Sequence, residues 1–171
     1  MTTRNLLPMA GCLALLLAAC ASTVGTTATP SGTPETMVAE IRAAAGQDDT
    51  ELAVQPLRDP MVDDLREQAQ ALERQRRYPE AVAALEQALR IVPDDPALLQ
   101  ERAEAALLVH DFATAGQLAK RAWDLGAKVG PLCRRHWETL RQLRLASGDA
   151  PGVLSAQVQR EACTVAGPAR Y

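Results

Sequence analysis

Aromatic residues are scarce: two Trp, two Tyr and one Phe in 171 residues. Sandwiches and barrels draw on aromatic and β-branched residues to fill their pleated faces, so this scarcity argues against an all-β chain. Histidine is rarer still, at two. The chain has no glycine-rich phosphate loop, no His-Glu-x-x-His and no paired-cysteine metal spacing. Cys133-Arg-Arg-His136 puts two potential metal ligands one helical turn apart, where a structural site needs four. No Ser, Thr or Cys has a recognisable base and orienter around it, so the sequence implies neither an enzyme nor a cofactor. The net charge of −3 gives no bulk attraction for nucleic acid. Long apolar runs are also lacking beyond one, Leu6 to Ala19, which follows Arg4 and is too short and wrongly flanked for a stable membrane span.

That run reads as a secretory signal over residues 1–19. It ends Leu17-Ala18-Ala19-Cys20, which resembles the lipobox of bacterial lipoproteins. The resemblance implies diacylation of the Cys20 sulfur, removal of the preceding peptide and usually acylation of the new amino group. Several acyl chains anchor far more firmly than one, since each buried CH₂ adds about 0.8 kcal/mol. Met9-Ala10-Gly11-Cys12 is a poorer candidate because little apolar sequence precedes it. Ala21, rather than the aspartate associated with inner-membrane retention, follows the cysteine, so the resemblance points to the periplasmic face of the outer membrane.

Residues 20–58 read as a lipidated tether. Ala21 to Pro34 is small, polar and broken by Gly and Pro, and cannot bury enough apolar surface to offset chain ordering. Helical spacing at Met37, Val38, Ile41, Ala44 and Ala45 predicts a short helix over 35–46. Isolated helices of that length are marginal, so it either docks on the domain or stays partly unfolded, and partial order is the expectation. Fully extended, residues 21–58 span roughly 125 Å.

The domain, expected over residues 59–165 with a tail over 166–171, is built on repetition. At an offset of 34, Leu65 falls on Leu99, Ala69 on Ala103, Leu72 on Ala106 and Tyr78 on Phe112. Ala81 then falls on Ala115, Leu85 on Ala119 and Ala88 on Ala122. Asp59-Pro60 predicts a helix start, with one helix to about Arg76 and a second from Pro79 to Ile91 before Pro93. The period and the small–large scheme resemble the tetratricopeptide (TPR) repeat, a helix–turn–helix unit. Repeat two departs from that pattern at Ala106, where a larger residue is usual, and at Ala127, where proline is usual. Residues 131–164 predict a third, degenerate hairpin that caps the stack: Leu132, Trp137, Leu140 and Leu143 on its first helix, and Val153, Leu154, Val158 and Ala162 on its second. Gly148-Asp149 parallels His110-Asp111 at the turn. The fold class is therefore all-α, a short TPR-like stack of antiparallel helix pairs behind a tether.

Cys133 and Cys163 remain after the signal and the lipid site are set aside. Export implies an oxidising compartment, and the two residues fall at adjacent ends of the third hairpin, which predicts a disulfide, with two buried free thiols as the alternative.

Resemblance to TPR domains implies a partner-binding groove lined by the first helix of each pair. It places Asp63, Arg66, Gln70, Glu73 and Arg74 there from repeat one, and Ala97, Gln100, Glu104, Leu107 and Leu108 from repeat two. Mixed charge beside two leucines suits an extended or helical peptide. The Lys/Asn set by which some TPR domains hold a terminal carboxylate is missing. A second candidate face carries Trp137, Arg141 and Arg144, with Arg134 and Arg135 just before them; Trp and Arg are enriched at interface hot spots, although Trp137 filling core would serve equally. The overall plan resembles TPR-containing outer-membrane lipoproteins that activate class A penicillin-binding proteins. That resemblance implies a periplasmic protein partner. The alternative is a pilotin-like assembly lipoprotein for a pilus, secretion pore or other outer-membrane complex.

Overall fold

A computed structural model describes residues 32–46 and 59–164. The signal, Cys12, Cys20, most of the tether and residues 165–171 lie outside the described residues. Among those described, seven helices form and no strand does: α1 Pro34–Ala43, α2 Pro60–Arg74, α3 Tyr78–Ile91, α4 Pro96–Leu108, α5 Phe112–Leu125, α6 Pro131–Ala146 and α7 Ala150–Ala162. They pair α2 with α3, α4 with α5 and α6 with α7, and α3–α4 and α5–α6 contacts join the pairs into a stack.

Helix starts follow from local chemistry. Asp59, Asp95, Asp111 and Asp149 each accept a hydrogen bond from a first-turn amide, and Pro60, Pro96 and Pro131 open helices with the φ that a first turn requires. The turn inside each hairpin is the same device three times. Arg76, His110 and Gly148 have φ of 58°, 62° and 73°. The next amide donates back to the first helix: Arg77 to Leu72 O, Asp111 to Ala106 O and Asp149 to Arg144 O, each at 2.9 Å. The third hairpin thus keeps the turn although its spacing has drifted by four residues.

Close helix approach comes from alanine. Ala69, Ala81, Leu85 and Ala88 are buried in repeat one, and their partners Ala103, Ala115, Ala119 and Ala122 are buried in repeat two. Leu72 and Ala106 are buried as well, whereas Tyr78 is half-buried and Phe112 is exposed.

Two expectations are revised. The helix over 35–46 is fully formed as α1 and docked, with Met37, Val38 and Ile41 buried against Ala106, Leu107, Leu108 and Ala115. Tertiary burial supplies what a ten-residue helix lacks alone. In α7, Leu154, Val158 and Ala162 do not face inward: Leu154 and Val158 are 65% and 61% exposed, while Ala156 and Cys163 are buried. The rotation of α7 is set instead by three ties to α6. Arg160 Nη1 donates to Glu138 at 2.6 Å, Arg144 Nη1 donates to Gly152 O at 2.7 Å, and a disulfide joins Cys133 to Cys163 with Cα atoms 5.7 Å apart.

Candidate partner-binding groove

The first helices of the three pairs, α2, α4 and α6, line one face of the stack, and α1 lies on it, packed against α4 and α6. Apolar contact comes from Met37, Val38 and Ile41, with Tyr78 and Leu143 closing the sides. Polar ties hold both ends. Tyr78 Oη donates to Glu35 at 3.0 Å near the start, and that bond helps lower the Glu35 pKa after the backbone and Thr33 bonds. At the far end Arg134 donates to the carbonyls of Ala44 and Ala45, where a cation is favoured by the exposed carbonyls of a helix C-terminus. Glu40 accepts from Gln142 and, at 3.5 Å, from Arg141.

Beneath α1 sits a buried carboxylate. Glu104 is fully buried and accepts from Arg42 Nε at 2.8 Å, Arg135 Nη2 at 2.5 Å and Gln100 Nε2 at 2.9 Å. Such a charge is tolerable only when paired and hydrogen-bonded. Arg42 also reaches Glu73 at 2.8 Å; burial disfavours its charge, but the two carboxylates outweigh that and hold its pKa above the usual guanidinium value. Gln100 spends its amide on Glu104 and Thr139, so its oxygen accepts from His136 Nδ1 at 2.7 Å. His136 Nε2 is buried with no hydrogen-bond partner, and burial, then the nearby Arg135 and Lys128 charges, push the pKa down to about 3. A second buried carboxylate, Glu138, accepts from Arg141, Arg160 and Gln142; burial raises its pKa, but these bonds more than offset it and the net shift is downward.

The residues expected to line the groove divide accordingly. Arg66, Gln70, Glu73 and Arg74 do share a cavity of about 620 Å³ between α1 and α2, with Val38, Ala39, Leu85 and Leu108 among its apolar lining. Arg66 pairs with Glu101 of the next repeat, Nε to Oε2 at 2.8 Å, and with exposed Asp63 at 3.4 Å. Gln100, Glu104 and Leu107 are fully buried and Leu108 nearly so: the leucines lie under α1, Glu104 between Arg42 of α1 and Arg135 of α6, and Gln100 against Thr139 and His136 of α6, so this half of the groove is not open surface. The Arg/Trp face is likewise taken up internally. Arg134 grips α1, Arg135 pairs with Glu104, Arg141 with Glu138, and Arg144 ties α7. Trp137 meets Trp123 of α5 edge-on, with ring centroids 5.4 Å apart, and Lys128 lies over the other ring at 4.1 Å. These residues splay toward four neighbours because α6 packs against α1, α4, α5 and α7.

The sequence reading missed α1 as the occupant and Gln100, Glu104 and His136 as a buried network. A signal for the first was the adjacent apolar pair and third residue a turn later, Met37, Val38 and Ile41. For the second it was the nearly continuous apolar surround of α4, PALLQERAEAALL, which leaves no broad polar face for solvent.

A tetratricopeptide-repeat family model matches residues 62–105. The match covers most of α2, all of α3 and most of α4. No curated protein and no solved structure matches the chain. The described domain is a TPR-like stack of helix pairs, an architecture suited to protein–protein interaction. Among the described residues no group of three or more His, Cys, Asp or Glu could hold a metal, and no helix is long and apolar enough to cross a membrane. The polar clusters of the TPR-like domain are joints between helices, with Glu104 committed to Arg42 of α1 and Arg135 of α6, and Glu138 to Arg160 of α7.

Proposed function

We propose that this chain is an outer-membrane TPR-type lipoprotein, anchored through acylated Cys20, that holds another periplasmic protein and so activates a class A penicillin-binding protein. The observation that carries the scaffold part is α1 itself. A TPR-like face already holding an amphipathic helix has the shape and chemistry to hold one. The leader ending Leu17-Ala18-Ala19-Cys20 supports the anchor, and the Cys133–Cys163 disulfide suits an exported protein. A peptidoglycan synthase as partner rests on likeness of plan, since the repeat specifies scaffold and not partner.

Crosslinking in cells tests the reading. A photoreactive residue at Gln70 or Arg74, on the rim of the cavity, is expected to capture a class A penicillin-binding protein. Capture of secretin or pilus components instead would replace the activator with an assembly role. A Cys20→Ala variant is expected to leave the membrane fraction and lose labelling by fatty acid; retention of both would remove the anchor.

A further inference from the structure

We propose that the face beneath α1 is the partner-binding surface itself, that α1 fills it as an internal stand-in, and that the partner supplies an amphipathic helix of the same pattern which displaces it. This rests on the scaffold reading above and names the chemistry of the partner.

The groove writes out its ligand through the helix it holds. Two adjacent apolar side chains and a third one turn later, as in Met37, Val38 and Ile41, fill the floor made by Leu107, Leu108 and Ala115. An arginine after the third apolar residue, as in Arg42, reaches Glu104 and Glu73. A free helix C-terminus meets Arg134, as Ala44 and Ala45 do. The fitting partner is thus a short helix with apolar residues at positions one, two and five, arginine at six, and an open C-terminal end.

Three features make α1 replaceable rather than fixed. It is a ten-residue helix, marginal on its own, and only one side of it is buried. Its departure does not orphan the carboxylate beneath it, because Glu104 keeps Arg135 and Gln100, and Glu138 keeps Arg141 and Arg160. The cavity of about 620 Å³ along its flank gives an incoming helix a place to engage first. At that rim Gln70 and Arg74 are exposed and hold no hydrogen bond among the described residues, while Val38, Leu85 and Leu108 supply apolar lining.

The test uses the mature full chain and a fluorescent synthetic peptide of residues 33–46. Tethered α1 competes with the peptide at high effective concentration, so the affinity of the wild-type chain is reduced to its open fraction of the intrinsic value. A Val38→Glu, Ile41→Glu double variant, whose own α1 cannot dock, is expected to bind the peptide about a hundredfold more tightly than wild type. A peptide carrying the same two changes should bind neither. Equal affinity for both chains, or no binding to the double variant, overturns the proposal.

Hydrogen exchange on the unaltered chain guards against a variant that fails to fold. Amides of α1 should exchange about a hundredfold or more faster than those of α4. Equal protection makes α1 part of the permanent core and ends the idea. A wild-type dimer exchanging α1 between copies would also overturn it, since the occupant would then be this chain. Failure here leaves the crosslinking result standing, and failure to capture a synthase leaves the peptide result standing.

Discussion

His136 shows how a single buried group sets a pH dependence. Its pKa falls from about 6.5 in the unfolded chain to about 3 in the fold, because burial without a partner for Nε2 disfavours the charged ring. Above pH 6.5 both states are neutral there and the full stability is present. As pH falls below 6.5 the unfolded chain takes up the proton first, so stability is lost at about 1.4 kcal/mol per pH unit until the folded form titrates near 3. Urea unfolding should therefore show a loss of about 2 kcal/mol from this group between pH 7 and pH 5. His136→Asn should flatten that slope while lowering stability at pH 7, because it vacates ring volume. Backbone strain at Arg76 predicts the opposite sign. A φ of 58° is costly for arginine and open to glycine, so Arg76→Gly should raise the unfolding free energy measured in urea by about 1 kcal/mol. Alanines 69, 81 and 88 were legible as contact residues because their size recurs at a fixed offset. Gln100 and Glu104 were not legible as buried. Polar side chains on the first helix of a repeat look solvated until something is known to cover them.

At the level of helices, the third hairpin is held by a crosslink where repetition has faded. Its turn residue Gly148 falls four residues late against the register that relates Arg76 to His110, and Leu154 and Val158 are left in solvent instead of filling core. The Cys133–Cys163 bond closes a loop with a sequence separation of 30. A loop of that size restricts the unfolded chain by about 3 to 4 kcal/mol. A Cys133→Ser, Cys163→Ser double variant should lose roughly that much in denaturant unfolding. Two titratable thiols in the denatured, unreduced wild type would remove the bond from the account. Hairpins one and two could be placed from sequence because caps, turns and small residues agree at every level. Helix α1 could be placed but not docked, since Met37, Val38 and Ile41 mark a stripe to be buried but not the surface that covers it. The rotation of α7 escaped for a related reason: an apolar stripe marks an inward face only when nothing stronger sets the angle, and here Arg160, Arg144 and the disulfide do.

For the whole molecule, the proposed anchor at Cys20 and the proposed release of α1 together predict a change in how far the domain can stand from the membrane. With α1 on the groove, only residues 21–33 separate the anchor from the folded body, a fully extended reach of roughly 43 Å. With α1 released, the length of chain from 21 to 58 sets the upper bound instead, roughly 125 Å. A partner that displaces α1 would then both occupy the groove and pay out the leash, coupling capture to reach. The coupling predicts an asymmetry between two insertions of about ten Gly/Ser residues. Placed within 21–32, the insertion lengthens the leash by up to roughly 33 Å in either state. Placed within 47–58, it adds length only once α1 has left. In cells, crosslinking to an inner-membrane synthase should therefore respond differently to the two insertions in a Val38→Glu, Ile41→Glu background than in the wild type. In the double variant both sites of insertion should have the same effect, and in the wild-type chain only the first should extend reach before the partner binds. Equivalent effects in both backgrounds would mean that α1 does not gate the leash.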